Sequence, residues 1–318
     1  MIGNIVSLLV LVLFVVLFAW LATRAWRARR AWVKWPGVIL AGLLTLVFAM
    51  VTVVAVLGFV KLEARHTNPV ADLKVAGTAE QIARGGQLAW GCADCHSPTL
   101  DLPLGGSTEN FIAGGPPVGV LYATNLTPGG PLQGWTDGEI VRAIREGIDK
   151  DGRALIVMPT QAYRHLSDAD VQALVAYLRS QPAVDNPQPA RTLNILAALF
   201  LGAGLFPTSA QAPVGTIVGP PASLTAAYGE YLASSIGGCA DCHGAKLDGV
   251  PSSPFAPPAP ALKPFAAGMS EAQFMAVFRE GRRMDGSPMA EGMPWKNIGK
   301  AMSDDDLRAV QAYLRTLP

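Results

Sequence analysis

Cysteine, histidine and charge are what this chain of 318 residues uses least. Its formal net charge is +1. That excludes the basic footprint expected of a nucleic-acid-binding protein, and no nucleic-acid partner is implied. Acid is almost missing from the first 64 residues, where Arg24, Arg27, Arg29, Arg30, Lys34 and Lys61 face Glu63 alone. Positive charge is missing ahead of the first apolar stretch and comes only after it, which argues against a cleaved signal peptide. Only four cysteines and four histidines occur, so any site built from them is confined to very few positions.

All four cysteines fall in a five-residue phrase that occurs twice, Cys92-Ala93-Asp94-Cys95-His96 and Cys239-Ala240-Asp241-Cys242-His243. A single C-x-x-C would suit a zinc knuckle or a redox pair. A histidine directly after each pair points instead to two covalently bound haems c. The spacing places both thiols on one side of a helical turn, within reach of the two vinyl groups of one porphyrin. His96 and His243 then lie under the ring as axial ligands.

Half the residues are hydrophobic and the mean hydropathy is +0.31. Much of this apolar excess lies near the N-terminus. About 20 apolar residues span a bilayer, and two such runs occur, at about 2–22 and 38–60. The stretch Arg24–Trp35 between them carries five positive charges and no acid. The positive-inside rule places that loop in the cytoplasm, with its tryptophans at the interface. Everything after Lys61 then lies on the periplasmic side of a bacterial inner membrane, where covalent haem attachment takes place. Membrane lipid is one expected partner.

The expected organisation is a membrane hairpin over 1–64, a linker over 65–78, a first haem domain over 79–190, an apolar segment and linker over 191–224, and a second haem domain over 225–318. The halves repeat. Arg84-Gly85-Gly86-Gln87-Leu88 matches Tyr228-Gly229-Glu230-Tyr231-Leu232, and Arg145-Glu146-Gly147 matches Arg279-Glu280-Gly281. Asp151-Gly152 matches Asp285-Gly286, Met158-Pro159 matches Met293-Pro294, and Ser167-Asp168 matches Ser303-Asp304. Ala176-Tyr177-Leu178-Arg179 matches Ala312-Tyr313-Leu314-Arg315. This is one domain duplicated. Its first and last helices are expected to cross, with Gly85 or Gly229 at the closest approach. Thr78, Thr136 and Ser167 read as helix caps, and Gly147 as a helix stop. The Gly- and Pro-rich stretches after each phrase, to Pro131 and over 252–264, read as irregular chain over the haem. The apolar run 193–206 is short for a crossing. It reads as an interfacial helix or one packed on a partner subunit, or as a helix buried between the two haem domains.

A sixth ligand is needed for a low-spin iron. The only histidines outside the phrases are His66 and His165, both expected at the surface. Methionine is the remaining candidate. Met158 stands alone in its loop. Among Met269, Met275, Met284, Met289, Met293 and Met302, the repeat selects Met293, which shares the following proline and the distance to the Ser-Asp cap; Met289 is the reserve. A thioether opposite an imidazole raises the potential, as in cytochromes c.

With these residues in place, each half resembles a class I cytochrome c domain, over roughly 79–182 and 225–318. The overall expectation is a mainly α protein, a transmembrane helix hairpin followed by two tandem domains of this kind. In the first half, Ala123-Thr124-Asn125-Leu126-Thr127-Pro128, Gly134-Trp135-Thr136-Asp137 and the segment from Met158-Pro159 to Leu178 resemble the cytochrome c subunits of bacterial membrane-bound alcohol and gluconate dehydrogenases. That resemblance implies that Tyr122 and Asn125 lie near the haem edge; read from the residues alone, they shape the loop. Those subunits carry three haem phrases and no hairpin. A hairpin followed by two haem domains is similar instead to the di-haem subunit of cbb3-type oxidases. The resemblance implies an electron carrier of a respiratory or photosynthetic chain, a subunit of a membrane complex with redox donor and acceptor proteins as partners and no catalysis of its own. A di-haem peroxidase is the alternative of another class. It would need an open sixth position, which a methionine in each half argues against.

Overall fold

The structure is a computed structural model that describes residues 2–205, 208–252, 257–290 and 292–317. In chain order its helices begin with α1 (Ile2–Trp26), α2 (Ala31–Glu63), α3 (Ala79–Leu88) and α4 (Ala93–His96). After a long loop come α5 (Asp137–Glu146), α6 (Thr160–Tyr163), α7 (Asp168–Ser180) and α8 (Ile195–Gly202). The second half adds α9 (Ala226–Ser234), α10 (Cys239–His243), α11 (Leu262–Gly268), α12 (Glu271–Arg279), α13 (Trp295–Ala301) and α14 (Asp304–Thr316). Two short strands, β1 (Gly119–Val120) and β2 (Thr192–Leu193), pair antiparallel. These elements form two compact bodies: Met1–Arg65 with Ile112–Leu121 and Ala190–Thr208, and His66–Phe111 with Tyr122–Pro189 and Ser209–Pro318.

The first body is the hairpin. Its two helices are long and apolar enough to cross a membrane, and their apolar side chains stay outward, Leu13 at 66% and Leu46 at 68% exposure. Such surface is at home in lipid. Phe14, Phe18 and Phe48 stack between the helices. Both helices overrun the expected spans, and only residues 27–30 separate them. The end of the expected loop, with Pro36, lies inside α2. Gly37 serves the hairpin contact, since a Cβ there would lie 2.9 Å from the Ala25 side chain.

Helix α8 corrects one reading of the apolar run. It packs on α2 and is not buried between the haem domains. The two helices cross at paired glycines. A Cβ on Gly58 would lie 1.7 Å from the Ala198 carbonyl oxygen, and one on Gly202 would lie 1.9 Å from that of Val54. Asn194 caps the start of α8, and Lys61 donates to the Leu201 carbonyl at 2.9 Å near its end, where a cation complements the helix dipole.

The second body contains two similar lobes. In the first, α3 crosses α7; in the second, α9 crosses α14. The expected glycines stand at both crossings. A Cβ on Gly85 would lie 1.9 Å from the Ala173 oxygen, and one on Gly229 would lie 1.9 Å from that of Ala309. Thr78 and Thr136 form capping boxes with Gln81 and Glu139, and Ser167 and Ser303 cap α7 and α14. Gly147 and Gly281 turn the chain at φ +64° and +65°. The repeated arginines also do repeated work. Arg145 pairs with Asp168 at 2.7 Å and Arg279 with Asp304 at 2.8 Å. Arg179 and Arg315 reach back from the last helix to carbonyls just before α5 and α12.

The expected linkers are not loose. Asn68 donates to Glu146 and to the Gln211 carbonyl, and the Val75 amide donates to Asp137. Residues 209–217 run along the same lobe through Ser209–Leu155, Gln211–Glu146 and Asp168–Ile217 backbone bonds. Extended backbone needs partners, and the lobe's loop carbonyls supply them. In the expected wrap over 252–264, α11 begins at Leu262; Ser253–Ala256 lie outside the described residues.

Candidate functional site

Each phrase begins where its lobe's first helix ends. Leu88 leads through a 3-10 turn (Ala89–Cys92) into α4, and Gly238, at φ +52°, leads into α10. None of the four cysteines is in a disulfide. Among the described residues, no group of three or more His, Cys, Asp and Glu side chains is arranged to hold a metal ion. Burial pushes the Cys92 and Cys239 thiols up to about 12 and Cys95 to about 11.

The histidines are held alike. His96 Nδ1 lies 2.7 Å from the Thr124 carbonyl oxygen, and His243 Nδ1 lies 2.7 Å from that of Pro260. A carbonyl only accepts, so Nδ1 carries the proton in both. That fixes the tautomer and the ring plane and leaves Nε2, without a proton, as the atom that could take a metal. Burial holds the His96 pKa below its ordinary value despite this bond.

Around each histidine the backbone repeats where the sequence does not. The Gly106 and Gly249 amides donate to the carbonyls of His96 and His243 at 2.7 and 2.9 Å, both glycines at positive φ. The Leu126 amide donates to Leu104 O, and the Leu262 amide to Leu247 O, each at 2.9 Å. Thr124 and Pro260, two positions before Leu126 and Leu262, thereby arrive under the imidazoles. Sequence reasoning missed these four loop residues. A backbone oxygen has no side-chain signature, and the glycines stand at different distances, Gly106 ten residues after His96 and Gly249 six after His243.

Asn125 is fully buried. Its Oδ1 accepts from the Thr127 amide at 2.9 Å and hydroxyl at 2.7 Å, and its Nδ2 donates to Val184 O at 2.8 Å. All its polar atoms serve the loop that presents the neighbouring Thr124 carbonyl. Tyr122 is half-buried in the same loop.

Met158 and Met293 open matching turns. The amides of Thr160 and Trp295 each donate back two residues, to Met158 O and Met293 O, at 2.8 Å. The intervening Pro159 and Pro294 share φ −79°, with ψ 58° and 47°, an inverse γ-turn. Both methionines are half-buried and pack against the core. Ser209 donates to Met158 O at 2.7 Å and accepts from the Thr160 hydroxyl at 2.5 Å, pinning that turn from the strap. Met269 and Met302 are core residues at 6% and 3% exposure, and Met284 is exposed. Met289 is half-buried, like Met293. His165 is exposed and His66 half-buried.

The lobes meet through these same elements. Helix α6 touches α10, while α13 touches the Ala89–Cys92 turn. Each post-methionine helix thus lies against the other lobe's phrase. Asn297 Nδ2 donates to Asp94 at 2.6 Å, and Lys300 reaches Asp101 at 2.5 Å with its ammonium 3.7 Å from the Trp90 ring centre. Tyr231 donates to Asp170 at 2.6 Å, and its counterpart Gln87 donates to Asp306 at 3.2 Å. Tyr163, buried and bonded to Gly91 O at 2.9 Å, has its hydroxyl pKa pushed well above the usual value by burial, then by the nearby Cys92 and Cys95 and by Asp241 of the other lobe.

The described residues thus fit two covalent haems. The thiols and Nε2 of Cys92, Cys95 and His96, and those of Cys239, Cys242 and His243, are the atoms that would hold them. Comparison with known proteins agrees. Residues 226–318 match the family model for cytochrome c, and residues 86–178 match that for cytochrome c oxidase, cbb3-type, subunit III. The fructose dehydrogenase cytochrome subunit of Gluconobacter japonicus is 27% identical over 85% of this chain and 58% of its own length. A nicotinate dehydrogenase subunit of Pseudomonas putida is 34% identical, over 52% of this chain and 14% of its own. The chain therefore spans less than two thirds of these relatives. A diheme cytochrome c-type protein of Cereibacter sphaeroides is 24% identical over 76% of this chain and 88% of its own length.

Proposed function

We propose that this chain, a di-haem c-type cytochrome built from two cytochrome c domains on a helix hairpin, carries single electrons from a donor protein to an acceptor as a subunit of a membrane complex in a respiratory or photosynthetic chain. Bound haem supplies the one-electron chemistry. The chain's residues supply attachment and tuning: Cys92, Cys95, Cys239 and Cys242 as thioether anchors, His96 and His243 as proximal ligands, Met158 and Met293 as distal ligands. The observation that carries this reading is the duplicated frame. Each histidine donates Nδ1–H to a loop carbonyl, and each methionine precedes the same proline turn. Two saturated irons suit electron passage and leave no substrate position.

Cytochrome subunits of dehydrogenases among the relatives favour a dehydrogenase complex. The match of the first domain to the cbb3-type subunit III model keeps a terminal oxidase as the second reading. In either, the hairpin lies in the bacterial inner membrane, the Arg24–Trp35 tip is cytoplasmic and the haem domains are periplasmic. Extraction in mild detergent is expected to bring down a catalytic subunit whose substrate reduces both haems. Co-purification of an oxidase core would choose the second reading. Rapid binding of CO or cyanide by the reduced chain would contradict a saturated carrier and favour a peroxidase.

A further inference from the structure

We propose that the tip of the α1–α2 hairpin binds the phosphate of an anionic phospholipid. Arg24, Arg27, Arg29, Arg30 and Lys34 lie within eleven residues. Their compact body contains a single acidic residue, Glu63, at the far end of the 33-residue α2. At 1.5 Å per residue that is about 50 Å away, several Debye lengths at physiological salt. Among the described residues, none of the five cations makes an ion pair. Arg24 lies 5.6 Å over the Trp20 ring, and Lys34 lies 4.1 Å from the centre of the Trp26 ring. These aromatic contacts leave the charge in place, so the counter-charge has to come from outside this body.

The site has a shape as well as a charge. An open cleft at the end of α1 is lined by Trp20, Thr23, Arg24, Arg27 and Ala28. Two guanidinium forks match the oxygens of a phosphate, while the Thr23 hydroxyl donates to the Trp20 carbonyl at 2.7 Å. Beside it α2 begins at Ala31 with no side-chain cap from Arg30 and no acid in its first turn; the Val33 and Lys34 amides donate to the Arg30 carbonyl, and the Ala31 and Trp32 amides stand ahead of that first bond. Depth selects lipid over a free anion. Trp20, Trp26, Trp32 and Trp35, four of the chain's seven tryptophans, are 53–72% exposed. Such rings belong at the bilayer–water boundary, the depth of a phosphodiester, and the Trp20 wall leaves apolar surface for its acyl chain. A zwitterionic headgroup brings its own cation and gains less.

The test uses the full chain with its haems, in detergent. It is mixed with equal phosphatidylglycerol and phosphatidylcholine, and retained lipid is weighed by native mass spectrometry. Phosphatidylglycerol should be retained in preference and released as salt rises. R24Q/R27Q should bind it about thirtyfold more weakly, from about 1 kcal/mol per basic residue, with covalent haem content unchanged. Equal retention of the two lipids, no salt dependence, or an undiminished double variant would overturn the proposal. Displacement by inorganic phosphate at equal concentration would assign the cleft to a free anion and overturn the lipid. The salt titration of the unaltered chain decides even if the double variant does not accumulate.

Discussion

Replacing Gly229 by valine is expected to cost the protein its second haem while the first remains attached. A Cβ at that position would sit 1.9 Å from the Ala309 oxygen, 2.4 Å from its carbonyl carbon and 2.8 Å from the Val310 nitrogen. These are backbone atoms of α14, which cannot rotate aside as a side chain can. Overpacking by a methylene or two ordinarily costs about 1–3 kcal/mol. Here relief requires the two helices to separate, and with them the contact that holds the lobe's core around Leu232, Leu307 and Val310. Gly86→Ala is the control. Its Cβ would meet only the Tyr177 ring, at 3.1 Å, and alanine is the better helix former by roughly 0.5–1 kcal/mol. Pyridine haemochrome content per chain reads the difference. Two haems retained with an unchanged melting temperature in Gly229→Val would show that the crossing is not as drawn.

Met293→His is expected to lower the midpoint of one haem by on the order of 0.1 V, within the roughly 0.8 V that axial ligands span. A second imidazole favours ferric iron where a thioether favours ferrous. The Met293-Pro294 turn repeats two backbone bonds of the Met158-Pro159 turn, to the methionine and to the proline carbonyl, whereas Met269 and Met302 are committed to the core. Met289→Leu should leave both midpoints where they were. Met293→Ala should open one iron to CO. A redox titration in which Met289, and not Met293, moves the midpoint would transfer the ligand to the reserve candidate.

What could be read in advance depended on whether the signal was carried by side chains. The haem phrases, the caps at Thr78, Thr136 and Ser167, the stop at Gly147 and the crossing glycines all use residue types with narrow physical roles, and the structure places the caps, the stop and the glycines as expected. The carbonyls of Thr124 and Pro260 were not legible, because any residue offers one and only the fold brings it under an imidazole. The strap over residues 209–217 looked like a linker because Pro and Ala set its conformation but say nothing of its partners. Docking of α8 on α2 was hidden because Gly58 and Gly202 lie 144 positions apart and neither marks the other. Asn125 could be read in advance as a loop-shaping residue, and its side chain bonds Thr127 and the Val184 carbonyl.

Two covalently attached porphyrins per polypeptide is the claim on which the rest stands, and intact-mass measurement under denaturing conditions reaches it most directly. Chain recovered from membranes should carry the mass of two haems after every non-covalent group has been stripped, and Cys92→Ala/Cys95→Ala should carry one. A chain that loses all its iron porphyrin on denaturation, or holds only one before any substitution, would contradict the account.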